Sequence, residues 1–128
     1  MKILIYGINY SPELTGIGKY SGEMASWFAA EGHEVRVVTA PPYYPEWLVN
    51  EDYKNGYSHA HTDGVRVTRC PLFVPSRPKA LTRLLHLVSF SISSAFPVIG
   101  SLFWKPNIVI QVVPTLFCSL QTLMLSRL

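Results

Sequence analysis

The sequence predicts an α/β domain, a Rossmann-like open parallel sheet flanked by helices on both faces. Three observations carry this. The chain opens on a short continuous apolar run, Ile3-Leu4-Ile5-Tyr6, closed by Gly7; such a run suits a strand buried on both faces of a parallel sheet. An amphipathic segment and a second apolar strand follow at once, completing a β-loop-α-β unit that requires a right-handed crossover. Two more strands then alternate with a long helical stretch. Composition agrees: 128 residues are one domain by length, and 48% hydrophobic against 15% charged residues argues against disorder.

Each element has its own signal. The start is too short for the apolar core of a signal peptide, roughly 7–15 residues, and turns polar at Asn9, so it is expected to be a strand at the true N-terminus. A loop containing Pro12, Gly16 and Gly18 leads into a helix from about Ile17 to Glu31. In that helix Tyr20, Met24, Trp27 and Phe28 recur at three- and four-residue spacing, and Gly32 supplies the stop. Glu34 to Thr39 reads as the second strand, ended by Pro41 and Pro42. Residues 41–64, rich in Pro, Tyr, Asn, Asp and Gly, read as one long loop, and long loops in compact domains are often functional. Val65 to Arg69 alternates as a third strand. Pro71 to Lys79 is irregular. Leu81 to Trp104 is a long apolar segment with Pro97 and Gly100 inside it, and Pro106 to Val112 reads as a fourth strand. Pro114 to Leu128 is expected to begin another helix. Neither repeats nor low-complexity stretches interrupt the order.

Several function classes fall away. The formal charge of +3 is mild, and Lys and Arg never form a run, so nucleic acid is not an expected partner. A membrane surface or a phosphorylated ligand fits a modest basic excess better. Cys70 and Cys118 form no CxxC pair and read as reduced, packed thiols. His59, His61 and His86 lack zinc spacing, and His33 sits at the wrong sheet edge for chemistry. No nucleophile, base and acid combine as a catalytic set, and Glu13 stands as a lone acid near the glycine loop.

Two loops carry the functional expectation. Gly16 and Gly18 follow strand 1 and open helix 1, where ligands of open α/β sheets bind; glycines there let backbone approach a ligand, and helix amides attract phosphate. A nicotinamide dinucleotide fits poorly, because the glycines arrive late and strand 2 ends Val38-Thr39-Ala40 without an acid for the ribose. The second loop, Pro41-Pro42-Tyr43-Tyr44-Pro45-Glu46-Trp47, lies on the same edge. It offers stiff aromatic surface of the kind sugars and lipid head groups use. The segment from Leu81 to Trp104 is long enough to span a bilayer, but it sits between two strands of one sheet. With Arg77, Lys79 and Arg83 at its start it is read first as a peripheral membrane contact, with a pair of core helices as the alternative.

The stretch Tyr10-Ser11-Pro12-Glu13-Leu14-Thr15-Gly16-Ile17-Gly18-Lys19-Tyr20, the Gly32-His33-Glu34-Val35 turn and Ala40-Pro41-Pro42-Tyr43-Tyr44-Pro45 together resemble family 4 glycosyltransferases of the GT-B fold, in their colanic acid fucosyltransferase-like branch. The resemblance implies that residues 1–128 are the incomplete N-terminal, acceptor-side domain, with the donor domain absent. It implies a retaining transfer of sugar from a nucleotide-sugar donor, with GDP-fucose one candidate, to a lipid-linked saccharide acceptor in exopolysaccharide assembly. That work is expected in the cytoplasm, peripheral to the inner membrane, without a metal or other cofactor. A family Gly-Gly pair that lies against the donor diphosphate falls on Thr15-Gly16, so Gly16 matches and Thr15 departs, with Gly18 a nearby extra. The family's cleft histidine and glutamate pair would lie beyond Leu128, which leaves no catalytic residue to name here. Tyr43, Tyr44 and Trp47 are expected on the acceptor side from their position, with Arg69 and Arg77 placed to attract its phosphate. A non-catalytic module that self-associates through exposed apolar surface is the rival reading; a dinucleotide-binding domain is a weaker one.

Overall fold

The computed structural model describes residues 1–13 and 16–112. Seven elements follow in order: β1 (Lys2–Gly7), α1 (Gly16–Ala30), β2 (Glu34–Thr39), β3 (Ser58–Thr62), β4 (Val65–Arg69), α2 (Ala80–Phe103) and β5 (Ile108–Val112). They build one five-stranded sheet in the order β3-β4-β2-β1-β5. All pairings are parallel except β3 with β4. The expected helix from Pro114 to Leu128 lies outside the described residues, as does Thr15.

The order of strands decides where the helices go. From β1 the chain moves one way along the sheet to reach β2; from β4 it moves the other way to reach β5. Two right-handed crossovers running in opposite directions must lie on opposite faces. Alternation along the strands matches. Ile3, Ile5, Val35, Val37, Val65 and Val67 point to the α1 side and pack with Ala25, Met24 and Phe28. Leu4, Val38, Ala40 and Cys70 point to the other side and pack with Phe90, Leu87 and Val98 of α2. Each such aliphatic side chain contributes about 1.5–3 kcal/mol by burial.

Two expectations need correction. The segment 41–64 is not all loop, because residues 58–62 form the antiparallel edge strand β3, whose residues from His59 onward are exposed. Helix α1 buries only part of the face its apolar residues marked: Met24 and Phe28 pack on the core. Tyr20 and Trp27 are mostly exposed, and Gly18, Ser21, Gly22 and Ala25 face the sheet instead. Small side chains there bring the helix backbone close to the strands and to the loop after β1.

Helix α2 is a single helix through Pro97, not a pair. Proline has no N–H to donate, so the carbonyl of Ser93 loses its helical partner. The hydroxyl of Tyr57 donates to that oxygen at 2.6 Å. The serines of α2 are likewise spent at home: Ser91 and Ser101 donate to carbonyls four residues back, and Ser94 meets the Tyr6 hydroxyl at 2.7 Å.

Candidate functional site

The carboxyl ends of β1, β2 and β4 release three loops onto one edge, and a buried carboxylate joins two of them. Glu13, in the loop after β1, is only 6% exposed. Its Oε1 accepts the backbone N–H of Tyr43 at 3.2 Å and of Tyr44 at 3.1 Å. Its Oε2 accepts Asn9 Nδ2 at 3.0 Å. Burial raises the Glu13 pKa against these hydrogen bonds, which favour the charged form. The lone acid near the glycine loop is therefore the clamp between that loop and the aromatic loop. Nothing local in the sequence marks it, since its partners lie about thirty residues away.

The third loop is tied in by Arg69 at the end of β4. Its Nη1 donates to Ala40 O at 2.9 Å and its Nη2 to Ser11 O at 2.7 Å. The guanidinium lies 4.8 Å from the Tyr53 ring centroid. Burial lowers its pKa. Arg69 thus enters the site as an internal strap, with its charge already engaged by two carbonyls, rather than as a free anion receptor. Arg77 stands apart: it is exposed and lines neither of the two clefts beside Glu13.

Two clefts flank the Pro12-Glu13 segment. One, of about 740 Å³, runs between Tyr10, Lys19, Gly22, Tyr53 and Arg69. The other, of about 570 Å³, runs along Tyr43, Tyr44, Glu46 and Asn50. The predicted aromatics are one buried and two half-buried side chains of the same cluster. Tyr43 is 5% exposed, and burial pushes its phenol pKa up. Its ring meets His86 of α2 edge-on at 4.6 Å and Trp47 at 5.5 Å. Trp47 also packs on His86 at 5.2 Å, with Arg83 at 5.6 Å from its ring. Tyr44 and Trp47 are both half-buried, and of these two only Tyr44 lines the second cleft. His86, unassigned by the sequence, anchors the aromatic loop to α2. Its Nδ1 lies 2.6 Å from Phe73 O, its Nε2 is buried without a partner, and burial lowers its pKa.

The two glycines of the first loop also part company. Gly16, with φ of 62°, begins α1, and a Cβ built there meets nothing within 4 Å among the described residues. Gly18 is buried, and a Cβ on it would stand 2.7 Å from Glu13 Cβ and 3.2 Å from the Tyr10 carbonyl. So Gly16 leaves open space before the amide end of α1, whereas Gly18 lets Glu13 come close. No acidic side chain occupies the first turn of α1, so its amides keep their attraction for an anion. The ribose position of a dinucleotide fold is filled differently: Thr39 is fully buried and donates to Ile8 O at 3.3 Å. Among the described residues no three His, Cys, Asp or Glu side chains gather as metal ligands.

Comparison with known proteins identifies the family. Residues 15–121 match the family described as glycosyl transferase 4-like domain. The chain is also 59% identical, over its full 128 residues, to a protein of Escherichia coli (strain K12) that carries the name colanic acid biosynthesis glycosyl transferase WcaI. It spans 31% of that relative's length. With this match over most of its length and a five-stranded, mostly parallel sheet with helices on both faces, the chain belongs to the glycosyl transferase 4-like family.

Proposed function

We propose that the chain is the acceptor-side domain of a retaining glycosyltransferase. It serves transfer of a sugar from a nucleotide-sugar donor to a lipid-linked saccharide in exopolysaccharide assembly, in the cytoplasm. The observation that carries this reading is the clamp at Glu13. It holds the aromatic loop against the glycine loop, so that Gly16 and the cleft lined by Tyr44 share one edge of the sheet. Family membership and the relative's name support the reaction class and the pathway.

In this reading the amides opening α1 meet the donor diphosphate at Gly16, and Gly18 serves by letting Glu13 close in. Tyr44 offers the acceptor a ring face and a hydroxyl, whereas Tyr43 and Trp47 hold the wall behind it. Arg69 shapes the neighbouring cleft, and an acceptor phosphate at Arg77 would lie outside both clefts. The test is sugar transfer by the protein expressed from its complete reading frame, with GDP-fucose and other nucleotide sugars as donors. Tyr44→Ala should raise the acceptor KM and leave the donor KM unchanged. Gly16→Val, which fills the open space, should raise the donor KM. Unchanged kinetics in both variants would refute the assignment.

A further inference from the structure

The aromatic loop is strained at Trp47, and α2 holds the strain in place. Trp47 has a left-handed backbone, with φ of 55°. That region is costly for a bulky side chain and persists only where the surroundings impose it. The backbone ties of this turn sit to either side of Trp47. Glu13 accepts the amides of Tyr43 and Tyr44. Leu48 donates to the Tyr43 carbonyl at 3.3 Å, and Asn50 to the Pro42 carbonyl at 2.9 Å. The Trp47 side chain itself is fixed from α2. Its ring packs on His86 at 5.2 Å, with the Arg83 guanidinium 5.6 Å away. Tyr43 completes the cluster, edge-on to His86 at 4.6 Å.

The His86 ring suits this cluster only when it is neutral. It is 2% exposed. The Phe73 carbonyl, 2.6 Å from Nδ1, can only accept, so Nδ1 carries the proton and Nε2 is a bare lone pair. Nε2 is buried and finds no partner among the described residues. The groups packed around the ring offer a second proton nothing. The loop after β4 brings the Phe73 carbonyl, already engaged, while its Arg77 and Lys79 are exposed. The aromatic loop brings the rings of Tyr43 and Trp47, and α2 brings the cation of Arg83. Glu13 is occupied on the backbone of Tyr43, and Glu46, beside Trp47, is exposed. Among the described residues no carboxylate pairs with His86. A proton taken from solvent onto Nε2 would create a buried N–H without an acceptor and a second cation at the ring that Arg83 already faces.

We propose that His86 and Trp47 form a proton-operated latch, in which the neutral imidazole holds the strained turn against α2 and its protonation releases Trp47. Glu46 and Leu48, on either side of Trp47, line the second cleft, so release reshapes that wall. Burial lowers the His86 pKa, which sets release below about pH 6.5. The bearing of this cleft on an acceptor rests on the sugar-transfer reading; the latch does not.

The test is fluorine NMR of the protein, expressed from its complete reading frame with fluorinated tryptophan and titrated from about pH 7.5 to about pH 5. Trp47→Phe assigns the signal. The Trp47 resonance should shift with one midpoint below about 6.5. In His86→Gln, whose amide can still donate to the Phe73 carbonyl but does not titrate, the shift should vanish. In Glu13→Gln it should persist, and circular dichroism should show each variant folded. A wild-type resonance that stays in place over this range would overturn the proposal, whatever the variants do. So would an equal shift in His86→Gln, or a shift lost in Glu13→Gln and kept in His86→Gln, which would assign the titration to the clamp. The reading uses no substrate, so its failure is distinct from a failure of sugar transfer.

Discussion

The two helices of this domain invert the usual relation between hydrophobicity and burial. Helix α1 is the less apolar of the two, yet it buries four of its 15 residues, all small. Helix α2 is apolar over most of its surface and buries three of 24. The difference lies in what each approaches. Helix α1 closes on backbone, at the loop after β1, where only glycine, serine or alanine fits. Helix α2 uses one flank for the sheet and keeps an equally apolar flank outside. A helix's apolar count therefore measures how many surfaces it must satisfy, and not how deeply it is buried.

Substitutions can break or sharpen that contrast. The largest effect is expected on the close-packed side. A Cβ at Gly22 would stand 2.6 Å from Ser11 Cβ, so Gly22→Val should cost about 3 kcal/mol by overpacking, read by urea denaturation. Next comes the clamp. Glu13→Ala frees the amides of Tyr43 and Tyr44 from a buried acceptor and should cost about 2 kcal/mol, with faster hydrogen exchange at those two amides.

A pH effect should follow from the aromatic anchor. Burial lowers the His86 pKa in the folded chain, so the fold favours the neutral ring. The stability this confers is fully present above about 6.5 and is lost as pH falls through the lower folded value. Glu13, raised by burial, has the opposite sign. Its proton is favoured in the folded state, which adds stability as pH falls toward its unfolded value. The thermal midpoint of His86→Gln should therefore fall less than that of wild type between pH 7.5 and pH 5. Smaller still, Tyr57→Phe leaves the Ser93 carbonyl to water at a half-exposed position and should cost about 0.5–1 kcal/mol. On the open side the sign reverses. Among the described residues nothing lies within 4 Å of a Cβ at Gly100, so Gly100→Ala should stabilise α2 by about 0.5–1 kcal/mol.

Much of this was legible in the sequence. Continuous apolar runs marked β1 and β2, and alternation marked β4 at its observed bounds. The strand β3 was not, since Ser58-His59-Ala60-His61-Thr62 carries almost no apolar signal and its outward residues bury nothing. A turn signal could have found it. Asp63 and Gly64, both with positive φ, form the two-residue reversal that an Asp-Gly pair favours between antiparallel strands. The loops after β1 and β2 were visible as candidates from glycine and aromatic content. Their joining at Glu13 was not, because it depends on contacts between residues far apart in sequence. The burial of Tyr43 and Arg69 was hidden for the same reason, as both side chains turn inward onto the other loops.

The joining of two loops at Glu13 is the claim on which the site rests. Backbone hydrogen exchange at Tyr43 and Tyr44, compared between the wild type and Glu13→Ala, tests it most directly. Both amides should exchange faster in the variant while the amides of β1 and β2 keep their protection. Unchanged exchange at Tyr43 and Tyr44, or an equal loss of protection across the sheet, would contradict the clamp.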